Sequence, residues 1–342
     1  MSTITKQSLQ RPDAPNNRQH SLTDYLPIEL QSLDDPQTAI PKIAKDPALM
    51  QKIECRLQEV PTAHEIRRGD ARAMHGLKAN SIHLVLTSPP YWTLKKYRDC
   101  EGQLGDISLY EDFLDSLDQV WAKCFDALVP GGRLICVVGD VCLSRRKNGG
   151  RHTVVPLHAS IQDRCRNLGF DNLAPIVWHK IANAAYEVPG GTNFLGKPYE
   201  PNAVIKNDIE FILMERKPGG YRQPTLESRL LSVICEANHR KWFQQIWYGL
   251  SGASTRKHPA PFPLELAERL VRMFSFVGDT VLDPFLGTGT SSIAAAKWGR
   301  NSIGYEIDPC YFEMACKRFS DTTNNMFNAA TLYKEIMNPN DQ

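Results

Sequence analysis

The sequence has no Cys-x-x-Cys pair, no apolar run approaching the roughly 20 residues needed to cross a bilayer, and almost no net charge. Each absence removes a class of protein. Nine cysteines, an odd number without paired spacing, point away from a disulfide framework and from a zinc cluster, so buried or neutral thiols and no metal are expected. The opening stretch, MSTITKQSLQRPDAPNNRQH, lacks the apolar centre of a signal peptide. A cytoplasmic protein with no membrane partner is therefore expected. Apolar residues at 42% and charged residues at 23% exclude whole-chain disorder and a collagen-like chain. A length of 342 residues suits about two domains, or equally one large core with an inserted module.

The net charge of +2 conceals an asymmetry. Residues 145–257 hold 17 Lys and Arg against 9 Asp and Glu, while the remainder holds 23 against 29. A basic segment between acidic flanks is what a polyanion partner would select, although a solvated basic face has the same composition.

Residues 1–25 are polar and read as a disordered tail, and 26–60 as short helices packed on the core. Alternating strands and helices follow. Ser81 to Thr87 is a short apolar strand ending at Pro89-Pro90. Over 109–128 apolar residues recur at three and four, with Ser108 and Glu111 as a capping box and Pro130-Gly131-Gly132 as the stop. Further elements are a strand at 133–138, a helix near 153–168, and strands at 175–178 and 209–214. Residues 215–257 lose the rhythm. Order returns with an apolar helix stripe through Leu266, Leu270 and Phe274, a strand at 280–283, a helix at 291–298 and a strand at 301–306. Such alternation predicts an α/β fold with a mostly parallel, doubly wound sheet.

Two loops carry chemistry. Asp283-Pro284-Phe285-Leu286-Gly287-Thr288-Gly289-Thr290 joins a strand to a helix, and the next strand ends in Glu306. Glycines there let a ligand approach the backbone, and an acid ending the second strand can accept from ribose hydroxyls. Ser292 replaces the third glycine of a pyrophosphate loop, so a cofactor with a cationic head, as in S-adenosylmethionine, suits Asp283 and Phe285 better than a dinucleotide. A purely structural strand–helix turn is the alternative. The other loop is Ser88-Pro89-Pro90-Tyr91-Trp92, at the carboxyl end of a buried strand. The prolines hold the Ser88 hydroxyl and the Pro89 carbonyl in a stiff pair of acceptors beside an aromatic ring, a clamp for an amino group on a planar base. Alone, the segment is also a plain strand terminator.

Together the two loops resemble the permuted, beta-type amino-methylating DNA methyltransferases, in which the catalytic half precedes the cofactor half. Arg68-Gly69-Asp70-Ala71, Ile176 to Lys180, Lys257 to Pro263 and Gly304 to Asp308 extend the resemblance over residues 65–320. It implies a Rossmann-like fold with S-adenosyl-L-methionine as cofactor, double-stranded DNA as partner, and an inserted target-recognition region. The implied divisions are an N-terminal extension (1–60), a catalytic half (61–182), the recognition region (183–257), a cofactor half (258–320) and a C-terminal tail (321–342). By the same resemblance Ser88, Pro89, Pro90 and Tyr91 hold the target base, with Trp92 and Trp178 as pocket walls, Trp178 being equally plausible as core. Asp70, Ala71, Asp283, Phe285, Gly287, Thr288, Gly289, Thr290, Glu306, His258 and Pro259 surround the cofactor, His258 being equally plausible as a surface histidine. In the basic segment Arg216, Lys217, Arg222, Arg229, Arg240, Lys241 and Arg256 are the candidate DNA contacts.

Ser88, where relatives acting on adenine usually carry Asp, favours cytosine N4 over adenine N6. Cytosine C5 chemistry needs a thiolate, and Cys310, just after the Glu306 motif, reads as packing. A nicotinamide oxidoreductase leaves Ser88 to Tyr91 unexplained, and a pure DNA-binding module leaves the glycine loop unused. A duplex base must be flipped to reach the clamp. A cognate restriction endonuclease, and a monomeric or dimeric state, stay open.

Overall fold

The computed structural model describes residues 21–32, 35–92, 98, 100–146, 148–180, 194–195, 199–205, 207–252, 263–324 and 329–337. Numbered by their places around one nine-stranded sheet, the strands are β1 (Thr62–Arg68), β2 (Ile82–Thr87), β3 (Leu128–Val138), β4 (Asp171–His179), β5 (Ile209–Arg216), β6 (Ile246–Trp247), β7 (Thr280–Asp283), β8 (Asn301–Glu306) and β9 (Ala330–Ile336). The helices are α1 (Pro36–Ile43), α2 (Pro47–Leu57), α3 (Tyr110–Ala127), α4 (Leu157–Asn167), α5 (Leu226–Leu231), α6 (Glu236–Trp242), α7 (Leu264–Phe274), α8 (Thr290–Lys297) and α9 (Pro309–Thr323). The sheet order is β6-β4-β5-β3-β2-β7-β8-β1-β9. Every neighbouring pair is parallel except those made by β5, which runs antiparallel to β3 and β4.

Apolar runs in β2, β3 and β7 are buried on both faces, as a parallel sheet between helical layers requires. On one face the sheet packs with Phe113, Leu117 and Trp121 of α3 and Ile161 of α4; on the other it packs with Leu266 and Leu270 of α7 and Ala294 of α8. The sheet is the doubly wound α/β fold of S-adenosylmethionine-dependent methyltransferases.

Several sequence-based expectations shift. Helix α3 starts at Tyr110, after a Leu109 that makes no side-chain cap, so the Ser108–Glu111 box does not form. Pro130-Gly131-Gly132 lies inside the opening residues of β3, where the pairing with β2 shifts register, rather than between elements. Thr153–Val155 is a short hairpin strand, leaving α4 to begin at Leu157. Residues 215–257 contain α5 and α6, each with a buried apolar side. Part of the expected tail is ordered too: Leu22–Tyr25 forms a 3-10 turn against Leu26, Leu30 and Ile53; residues 1–20 lie outside the described set. The expected C-terminal tail supplies β9, which pairs along the whole of β1. Among the described residues no helix is long and apolar enough to cross a membrane, and all nine cysteines are free thiols.

One core group is costly. Glu215 in β5 is fully buried, neither carboxylate oxygen has a hydrogen-bond partner, and burial lifts its pKa to about 7 from 4.5. An acid raised in the folded state contributes stability that is complete below its unfolded pKa and lost as pH rises through the folded one. Urea unfolding should therefore show the protein about 3 kcal/mol less stable at pH 8 than at pH 4.5 on account of this group. Glu215→Gln should remove that decline, and a variant whose pH profile parallels the parent would show that Glu215 does not titrate in this range.

Candidate active site

The carboxyl ends of β1, β2, β7 and β8 meet at one edge of the sheet. There Gly69, Asp70, Ala71, Ser88, Pro90, Phe285, Gly287, Thr288, Thr290 and Glu306 line a single cavity. Residues more than 200 positions apart in sequence are thus brought to one place by parallel pairing of β2 with β7 and of β7 with β8.

The glycine loop is shaped by both sides. Gly287 (φ 55°) and Gly289 (φ 80°) adopt left-handed backbone, and Gly289 lies against the α9 backbone, where an added Cβ would sit 3.4 Å from Ala315. The Gly287 N–H donates to Glu306 Oε2 at 2.7 Å, and the Asp308 N–H donates to Glu306 Oε1 at 2.9 Å. A carboxylate has about four acceptor positions, so two remain on Glu306 for a diol in the cavity it lines. Burial raises its pKa to about 7 against the effect of those two donors. Arg318 of α9 donates to the Thr288 carbonyl at 3.0 Å and to the Thr288 and Thr290 hydroxyls at 2.9 Å, closing the loop from behind. Nothing in the local sequence marks Arg318 for this role.

Asp283 does not reach the cavity. It is 2% exposed, and its oxygens accept from the Thr87 hydroxyl (2.7 Å), the Phe285 N–H (3.1 Å) and the Ser291 hydroxyl (2.5 Å). It ties β2, the loop and α8 together rather than facing a cationic ligand. Asp70 does line the cavity, with its carboxylate held by the Arg72 N–H at 2.8 Å and the Arg72 guanidinium at 2.5 Å. The opposite wall is Gly102, Gln103 and Leu104, with Ile307 and Tyr311, none of which the sequence motifs single out. Gly102 is required there: at φ 83° its Cβ would lie 2.8 Å from Ile307. An apolar slot with one acidic pair of acceptors at its middle fits the adenosyl group of S-adenosylmethionine.

The Ser88 hydroxyl lies 3.3 Å from the Tyr91 hydroxyl, with Pro89 and Tyr91 buried beside it. Gly139, just past β3, makes room for this ring: a Cβ there would be 3.5 Å from Tyr91 and 3.3 Å from Glu210. Trp92 turns away, its indole N–H donating to the Ile107 carbonyl at 2.9 Å and its ring edge-on to Tyr110 at 5.0 Å. Trp178 is core: it is fully buried and donates to the Leu250 carbonyl at 3.0 Å. Cys310 is exposed at the start of α9 and lines no part of the cavity, so the packing expected of it is not seen.

The basic residues divide. Because β5 runs backwards, Arg216, Lys217 and Arg222 arrive at the sheet edge opposite Ser88. Arg216 pairs with Asp171 at 2.8 Å, Lys217 donates to the Leu128 carbonyl at 2.8 Å, and Arg222 grips Asp279 through two bonds of 2.5 and 2.6 Å. Their charge is spent inside the protein, and Arg229 sits near them. Arg240 and Lys241 are exposed on α6, with Arg240 3.0 Å from Glu236. Arg256, His258 and Pro259 lie outside the described residues.

An acceptor-bearing cofactor slot that shares Ser88 with a Pro-Pro-Tyr turn, on this sheet, defines an α/β methyltransferase. A family model for DNA methylases matches residues 82–317. The chain is 36% identical over 279 residues, 73% of its length and 89% of the relative's, to the type II methyltransferase M.MjaI of Methanocaldococcus jannaschii. It is 35% identical over 284 residues, 76% of its length and 78% of the relative's, to M.MthZI of Methanothermobacter thermautotrophicus. Among solved structures, a DNA modification methylase of Thermus thermophilus, TTHA0409, complexed with S-adenosyl-L-methionine, is 50% identical with a TM-score of 0.66, over 81% of this chain and 98% of that one. The PvuII cytosine-N4 methyltransferase, 18% identical, shares the fold at a TM-score of 0.54 over 80% of this chain and 97% of that one. The chain belongs to the N4/N6 amino-methylating DNA methylase family, and S-adenosylmethionine is its methyl donor.

Proposed function

We propose that the protein methylates the exocyclic N4 amine of a cytosine flipped out of duplex DNA at a specific site. The observation that carries this reading is the Ser88 hydroxyl, held 3.3 Å from the Tyr91 hydroxyl on the rim of the cofactor cavity. Serine at this position is the mark of the cytosine-directed members of the resemblance described above.

When bound, S-adenosylmethionine supplies a methyl carbon made electrophilic by its sulfonium. Glu306 and the wall from Asp70 to Ala71 would hold the adenosyl part, and Phe285, Gly287 and Thr288 the methionine part. The cytosine amine is a poor nucleophile because its lone pair is delocalised into the ring. Ser88 Oγ and the Pro89 carbonyl would accept its two N–H bonds, favouring a pyramidal nitrogen with its lone pair turned toward the cavity. Nitrogen–carbon bond formation and carbon–sulfur cleavage are then one in-line step, and the amine proton passes to solvent. A serine hydroxyl is too weak a base to take it. The exposed cations Arg240 and Lys241, together with Arg256, are the remaining candidates for phosphate contacts. The type II relatives suggest a modification enzyme working alongside a restriction endonuclease.

Incubation with DNA and methyl-labelled S-adenosylmethionine, followed by nucleoside digestion, tests the base. Label is expected in N4-methylcytosine. Label confined to N6-methyladenine would transfer the same clamp to adenine and overturn the cytosine assignment.

A further inference from the structure

Opposite the active site, at the amino ends of the parallel strands, lies a second cavity of about 780 Å³, within the size range of small-molecule sites. β2 spans the distance between the two: His83 near its start lines this cavity and Ser88 just past its end lines the other, about 16 Å apart at 3.3 Å per residue. A base held at Ser88 therefore cannot be the occupant.

The lining is one-sided in charge. Arg133, Arg216, Arg222, Arg229, Arg272 and Lys45 all contribute, while Glu236 is the single carboxylate among the lining residues. Most of these cations are already neutralised: Arg216 by Asp171, Arg222 by Asp279, Arg272 by Glu54 and Lys45, at 4.0 Å, by Glu236. Arg133 and Arg229 are half-buried and have no carboxylate partner among the described residues. Two uncompensated guanidinium groups at an apolar-walled cavity are a standing electrostatic cost unless an anion joins them. The remaining walls are aromatic. Arg133 lies 4.9 Å over the Phe274 ring, Arg222 5.5 Å over Phe276, and Tyr221 stands 88% exposed at the mouth. Guanidinium forks match phosphate, and aromatic faces and stacked guanidinium planes accept a flat ring.

We propose that this cavity is a binding site, separate from the active site, for an aromatic phosphate of nucleoside monophosphate size, its phosphate bridging Arg133 and Arg229 and its ring stacked among Tyr221, Phe274 and Phe276. The occupant is a small soluble ligand, since charge complementarity calls for a phosphate and the ring-lined volume for one planar group.

Calorimetric titration of the full-length protein with adenosine 5′-monophosphate tests it, with S-adenosylhomocysteine first saturating the cofactor slot so that adenosine cannot enter there. One saturable site is expected, with inorganic phosphate binding about tenfold more weakly or worse because it lacks the ring. Arg133→Gln should weaken the nucleotide by about tenfold or more while cofactor binding stays at the parent level. Arg229→Gln, on a helix rather than a central strand, should do the same and serves if the first variant fails to fold. Absence of saturable nucleotide binding, equal affinity for inorganic phosphate, or nucleotide affinity unchanged in a folded variant would each overturn the proposal.

Discussion

Asp283→Ala should unfold about 3 to 5 kcal/mol more easily than the parent protein and lose cofactor affinity by about a hundredfold, whereas Asp283→Asn should keep the fold. The alanine leaves three buried donors, the Thr87 and Ser291 hydroxyls and the Phe285 N–H, without an acceptor. Each unmet donor costs roughly 1 to 3 kcal/mol. The same bonds hold the end of β2 against the loop that lines the cofactor cavity, so their loss loosens both walls, and a shift of an ångström is enough for the affinity change. Asparagine retains one oxygen for Thr87 and Phe285 and turns its amide toward the Ser291 oxygen. The pH dependence separates charge from shape. Burial raises the Asp283 pKa from 3.8 to about 6, so its contribution to stability is complete below about pH 4 and declines as pH rises through 6. The asparagine variant has no such group, and the difference between the two proteins should change between pH 4 and 7 and be flat above. Chemical denaturation at four or five pH values measures this; a parallel pair of profiles would show that Asp283 stays ionised throughout.

That latch illustrates what the sequence discloses and what it hides. The cofactor half was legible because its geometry is local: a strand, a two-glycine turn, a helix and a strand ending in Glu306 follow one another within 27 residues, and β7, α8 and β8 fall within a residue of the expected bounds. Asp283 was visible as a strand-end acid, yet its direction was not, because the hydroxyls that turn it inward come from Thr87, 196 residues away, and Ser291. The basic segment misled for a topological reason. Composition reports charge but not strand direction, and the reversal of β5 carries Arg216 and Arg222 to the far edge, where Asp171 and Asp279 wait. β9 escaped notice because an edge strand with its second half exposed carries little apolar alternation. Gly102 and Arg318 act through contacts made after folding, with Ile307 and with Thr288, and no spacing rule reaches that far.

Ser88→Ala should lower turnover by about 10² to 10³-fold with cofactor affinity close to that of the parent protein. The hydroxyl is half-buried at the end of β2, and its recorded neighbour is the Tyr91 hydroxyl rather than any group that shapes the glycine loop. Removing it therefore leaves Glu306, Gly287 and the Arg318 bonds in place. What is lost is one of two acceptors for the target amine, an interaction that tightens as the nitrogen becomes pyramidal in the transition state. An interaction of that kind lowers kcat and kcat/KM together, whereas a merely structural serine would shift KM or the melting temperature instead. Single-turnover kinetics on a DNA substrate, with S-adenosylhomocysteine binding measured in parallel, distinguishes the two. Parent-level turnover would remove Ser88 from the clamp, and failure to bind S-adenosylhomocysteine would place it in the cofactor wall it borders. Ser88→Thr supplies the internal control: it keeps the acceptor at the cost of one methyl group, so it should recover at least part of the lost rate if the oxygen is what matters.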